Sequence, residues 1–111
     1  MENKLNYMND KISEMESTLE KQKKEINGLD ISIMELVNFK KQIIKEIKEE
    51  KGVETRKEMI NRKSEIHYHE THLRKVKHKL EGNFNRTQNL YNENCRIRKM
   101  IKQLYPNITR N

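Results

Sequence analysis

Apolar side chains recur along the first half of this chain in an unbroken three-four alternation. With Leu5 as position a, the a and d positions are Leu5, Met8, Ile12, Met15, Leu19, Gln22, Ile26, Leu29, Ile33, Leu36, Lys40, Ile43 and Ile47, and eleven of these thirteen are apolar. A stripe repeating about every 3.5 residues keeps facing a partner only when helices supercoil left-handedly. The pattern predicts a first coiled-coil block over residues 1–48.

A second block follows in another phase. Its a and d positions are Met59, Arg62, Ile66, His69, Leu73, Val76, Leu80, Asn83, Thr87, Leu90, Asn94, Ile97, Ile101, Leu104 and Ile108, ten of fifteen apolar. It defines a coiled-coil block over residues 59–105. The phase slips inside residues 49–58, a charged stretch around Gly52, which weakens a helix. The slip fits a skip in one continuous coiled coil, or a turn that makes an antiparallel helical hairpin. The expectation is the extended form, of about 150 Å at 1.5 Å per residue. Gly52 has no adjoining Pro, Asn or second Gly to enforce a turn. Gly28 and Gly82 sit inside their registers as soft spots, and the first proline is Pro106. The residue before a proline avoids helical geometry, so the helix is expected to stop at Tyr105, leaving a tail of residues 106–111. The predicted fold class is all-α: long coiled-coil helices in two blocks.

Composition narrows the use of those helices. Only 32% of the 111 residues are hydrophobic, 37% are charged, and mean hydropathy is −1.15, too polar for a globular core of this length. Such a chain is disordered unless a narrow seam finds a partner, and the heptads decide for the seam. There is no apolar run of membrane-spanning length. The polar start Met1-Glu2-Asn3-Lys4 does not look like a signal peptide, and a single cysteine makes no internal disulfide, so the expectation is a cytoplasmic protein. The sequons at Asn85 and Asn107 then count as chance occurrences among thirteen asparagines.

Several seam positions carry information about partners. Lys40, Asn83 and Asn94 are polar where polar residues set register, and Asn94 is expected to meet another polar residue. Gln22, Arg62 and His69 read equally as tolerated defects. Val37, Phe39 and Ile44 widen the stripe beside the seam, either padding the same interface or offering a second contact face. Charge is divided unevenly, with a net −1 over residues 1–51 and +8 over residues 52–111. The basic side chains gather as Arg74, Lys75, Lys77 and Lys79, then Arg96, Arg98, Lys99 and Lys102. They read either as a solvated face or as a site for a polyanionic surface, nucleic acid or a microtubule exterior.

Catalytic chemistry finds no support. There is no glycine-rich phosphate loop, and Cys95 has no motif pairing it with a histidine and an orienting group. As a b position Cys95 is expected to be exposed and inert. The run His67-Tyr68-His69-Glu70-Thr71-His72 places His69 and His72 three apart on one helix face, but not in the H-E-x-x-H spacing. These read as surface histidines, with no metal and no cofactor expected.

Residues 80–104 resemble the coiled-coil subunits of the outer dynein arm docking complex of cilia and flagella. The likeness rests on Leu80-Glu81, Arg86, Asn94, Ile97-Arg98, Ile101 and Leu104. Thr87-Gln88-Asn89, Lys102 and Tyr105-Pro106 depart from the family's pattern. The resemblance implies a heterodimeric coiled coil along a doublet microtubule that positions dynein, with the basic half facing tubulin. The expected function is therefore a non-enzymatic scaffold or adaptor of a cytoskeletal assembly, with an axonemal location as its specific form. Its expected partners are another coiled-coil chain, tubulin and dynein, without a small molecule. A nucleic-acid-binding helical protein is the alternative. Against it, Glu65, Glu70, Glu81 and Glu93 interrupt the basic residues, and stacking aromatics are few. A tether in vesicle or kinetochore assembly would show the same features as the scaffold.

Overall fold

The long proline-free run and the amphipathic heptads give two helices. The computed structural model describes residues 2–105: α1 spans Glu2–Glu49 and α2 spans Val53–Leu104. No strand occurs among the described residues, so the fold is all-α as expected. Helix α2 ends at Leu104, next to the expected stop. The Pro106 exit, the Asn107 sequon, the seam position Ile108 and the tail 106–111 lie outside the described residues.

The break is narrower than residues 49–58, because α2 already begins at Val53. Glu50, Lys51 and Gly52 make the whole connection. The Glu50 amide still donates to the Glu46 carbonyl at 3.0 Å, closing α1. The Gly52 carbonyl accepts the Arg56 amide at 3.0 Å, which makes Gly52 the N-cap of α2. The Gly52 amide in turn donates to the Glu50 carboxylate at 2.9 Å. No residue here has a positive φ, so the reversal needs no left-handed glycine and no proline. Of the two forms open at Gly52, the chain takes the reversal. The absence of turn-enforcing neighbours was a poor guide, because a capped helix start served instead.

The described residues divide into two units, each drawing on both heptad blocks: residues 2–24 with 81–105, and Glu25–Leu80. In the second unit α1 and α2 fold back antiparallel through the connection. Asp30 is paired with Lys77, and Lys40 with Glu70. In the first unit the outer portions of the helices also run antiparallel. There Arg98 donates to Asn9, Tyr91 to Glu16 and Gln22 to Thr87. A small apolar cluster of Leu5, Met8 and Ile101 closes its end.

Every assigned seam position of α1 is buried or half-buried, from Leu5 through Ile47, so its register holds throughout. Ile12 is sealed at 1% exposure, and Ile33 and Ile43 are buried in the other unit. Helix α2 requires a correction. One of its two columns is as assigned: Ile66, Leu73 and Leu80 in the second unit, and Thr87, Asn94 and Ile101 in the first, are all buried or half-buried. The other column is displaced by one residue. Glu70 and Lys77 in the second unit, and Phe84, Tyr91 and Arg98 in the first, turn inward. Val76 and Asn83 are half-buried at the edge, while His69, Leu90, Ile97 and Leu104 are exposed. The polar contacts explain the displacement. Counting apolar residues favours Leu90, Ile97 and Leu104, but α1 offers Asn9, Glu16, Asp30 and Lys40 as partners, and these are met by Arg98, Tyr91, Lys77 and Glu70.

Because each seam is closed by the chain's own second helix, helix content and monomeric mass should be constant across a roughly hundredfold dilution. Circular dichroism and sedimentation measure both, and helix lost on dilution would mean that the seam is completed between chains. The register is checked within the first unit by truncation. Ile12→Ala should cost about 2–5 kcal/mol in urea unfolding, and Leu90→Ala no more than about 0.5. A Leu90→Ala cost equal to that of Ile12→Ala would restore the displaced column to the seam.

Candidate interaction site

The eight basic side chains expected to face a polyanion do not share one role. In the second unit, Lys77 is half-buried in a 2.5 Å ion pair with Asp30. Arg74 is exposed but bound to Glu70 at 2.9 Å, one turn back on its own helix. Lys75 and Lys79 are exposed. In the first unit, Arg98 is half-buried and donates to Asn9 at 3.3 Å. Arg96, Lys99 and Lys102 are exposed. Lys77 and Arg98 thus serve the helix pairing, because heptad geometry turns every seventh residue of α2 inward whatever its charge, and Arg74 serves an ion pair within its own helix.

The remaining assigned seam residues are placed as follows. In the first unit Leu5, Met8, Ile12 and Ile101 are buried, and Met15 and Leu19 are half-buried. In the second, Ile33 and Ile43 are buried, whereas Ile26, Leu29, Leu36, Ile47, Ile66, Leu73, Val76 and Leu80 are half-buried. Of the stripe-widening residues, Val37 and Ile44 are half-buried beside the seam and Phe39 is exposed. The first two pad the helix pairing, and Phe39 does not.

The polar seam positions behave differently from one another. Lys40 sets a long-range contact: its Nζ donates to Glu70 Oε1 at 2.8 Å and lies 3.3 Å from His67 Nδ1. Glu70, missed at the sequence level because it lay one residue off the assigned column, is the buried charged residue of the seam. The Lys40 ammonium first, and then the Arg74 guanidinium, hold its carboxyl below the ordinary carboxylate range, against the opposing effect of burial. Gln22 crosses the seam to Thr87 Oγ1 at 3.3 Å, while its own side-chain oxygen is buried without a partner. Asn94 was expected to meet a polar residue, but its Nδ2 bonds the Leu90 carbonyl at 2.8 Å and approaches the Met15 sulfur at 3.9 Å. Helix α1 carries no polar seam residue at that level. Cys95 is half-buried rather than exposed, since the displaced column rotates it inward. Hydrogen bonding with Cys95, burial and the nearby Glu16 push the Tyr91 hydroxyl's pKa upward.

His69 and His72 line a shallow groove with Ser32, Glu35, Leu36 and Leu73. Among the described residues no group of three or more His, Cys, Asp or Glu side chains could hold a metal. No helix of the described residues is long and apolar enough to cross a membrane. What the arrangement offers chemically is contact: exposed cations on α2, and apolar side chains that the pairing leaves outside. Comparison with protein families, with curated proteins and with solved structures finds no match.

The Lys40–Glu70–Arg74 cluster gives a pH dependence of known sign. A lowered folded-state pKa stabilises above the ordinary carboxylate value and is lost as pH falls through the folded value. Thermal unfolding followed by circular dichroism should show Glu70→Gln less stable than the parent chain at neutral pH. The difference should shrink on acidification through the carboxylate range. A gap that is unchanged down to strong acid would remove Glu70 as its source.

Proposed function

We propose that this chain is a non-enzymatic structural scaffold of a cytoskeletal assembly, and that its specific form is the attachment of outer-arm dynein to axonemal doublet microtubules. The observation that carries the scaffold reading is the division of labour on α2. Its inward column completes the helix pairing, while Lys75, Lys79, Arg96, Lys99 and Lys102 are left in solvent. Cations outside the helix pairing of each unit suit the acidic exterior of a protein polymer, where long-range steering adds to contact. The likeness of residues 80–104 to the docking-complex subunits supports the axonemal form. Within that stretch Leu80, Asn94, Arg98 and Ile101 face the chain's own partner helix. A further chain would therefore be taken up on another face.

Microtubule co-sedimentation tests the proposal. Reversing Lys75, Lys79, Arg96, Lys99 and Lys102 to Glu should abolish pelleting at low salt without loss of helix, and pelleting of the parent chain should weaken steeply as salt screens the charges. Lys77 is left unchanged because Asp30 needs it. Tighter binding to nucleic acid than to microtubules, or binding to neither, would overturn the reading.

A further inference from the structure

The displaced column leaves a consequence in the first unit. Its exposed large hydrophobic side chains are Tyr7, Leu90, Ile97, Met100, Leu104 and Tyr105. On α2, Leu90, Ile97 and Leu104 repeat every seven residues, and Met100 lies one turn from both Ile97 and Leu104. The exposures are 53% for Leu90, 51% for Met100 and 69% for Leu104, with Ile97 less open at 38%. The cross-helix contacts fix what stands beside them. Arg98 meets Asn9, Tyr91 meets Glu16, and Asn94 meets Met15. That antiparallel register brings Lys11 level with Ile97 and Lys4 level with Leu104, on the same edge of the pair. Tyr7 belongs to this edge too, with the Lys11 ammonium 5.8 Å from its ring centroid.

We propose that this edge is a docking groove for one amphipathic helix of a partner chain, with an apolar a/d stripe and acidic flanks. The repeat matches the period at which a helix lays knobs into a groove. Three heptads, about 30 Å of helix, would cover the stretch from Leu90 to Leu104 with room at both ends. Charge selects the partner. Lys4 and Lys11 border the stripe on α1 and Arg86 and Arg96 on α2, all exposed, against Glu14 and Glu93. A second copy presenting the same edge would set cations against cations. A lipid bilayer favours a broad apolar face rich in bulky side chains, whereas this stripe is narrow and Glu93 interrupts it. This deepens the scaffold reading, on which it rests, by naming the kind of chain the scaffold holds.

The test uses the full chain and a fluorescent synthetic peptide of about three heptads, with Leu at a and d and Glu at e and g, beside a version with Lys in place of Glu. The acidic peptide should bind at least about tenfold more tightly than the basic one by fluorescence anisotropy. Ile97→Asp should weaken it by about tenfold or more, with the helix content of the chain unchanged since Ile97 is outside the seam. The double reversal Lys11→Glu with Arg96→Glu should invert the preference between the peptides. Equal binding of both peptides, or binding indifferent to Ile97→Asp, overturns the groove. Self-association that Ile97→Asp abolishes would make the occupant a second copy. Capture by phosphatidylserine vesicles without peptide binding would make it a membrane, and either result overturns the proposal. Ile97→Asp should leave microtubule pelleting intact, so a parent chain that pellets with microtubules but binds neither peptide sinks the groove alone, and one that binds the acidic peptide but does not pellet sinks the cytoskeletal reading alone.

Discussion

A charge inside the seam determines which face of α2 can pack. Glu70 is 7% exposed, and a buried carboxylate is tolerated only with its charge and lone pairs answered. Lys40 answers from the opposite helix at a seam position of its own, and Arg74 answers from the next turn. With Glu70 inward, the neighbouring His69 must turn outward. In this second unit the apolar pairs of Ile33, Ile43, Ile66 and Leu73 supply burial without direction, and the ionic contact supplies the register.

The first unit reaches the same phase of α2 by other means. Tyr91 and Arg98 lie on the inward column, and Glu16 and Asn9 receive their hydrogen bonds. Each of those contacts is modest in solvent, yet together they select one rotation over its neighbour. What they displace is costly to leave wet: Leu90, Ile97 and Leu104 would all have suited a seam. A helix pair that exposes a regular apolar row while half-burying Thr87, Asn94 and Arg98 is unsaturated as a structure. The proposed docking of a partner helix rests on that row, which the chain's net charge does not reveal.

The charge asymmetry of the two halves has a structural component as well as a surface one. Lys77 and Arg98 belong to the helix pairing, so the basic excess of α2 overstates what is available to a polyanion. A reading from sequence counts such residues as equals, since their type and spacing do not differ. Position around the helix separates them, and that position follows from the register.

The heptads of residues 1–48 determined nearly everything about α1 without help, because Leu5 through Ile47 hold one phase and any partner must meet the same stripe. The all-α class, the break at Gly52 and the end of α2 were legible for equally local reasons: no proline interrupts either helix, a glycine caps the second, and a proline follows its end. The phase of α2 was not legible, because two columns one residue apart compete. The apolar one, with Leu90, Ile97 and Leu104, wins any count made on a single helix. Only pairing with α1 gives Glu70, Lys77, Tyr91 and Arg98 their partners, and those partners are 75 residues away for Tyr91 and 89 for Arg98. The reversal at Gly52 had the same origin. Nothing local demands a turn there, and contacts made far along the chain from it hold the helices together in each unit.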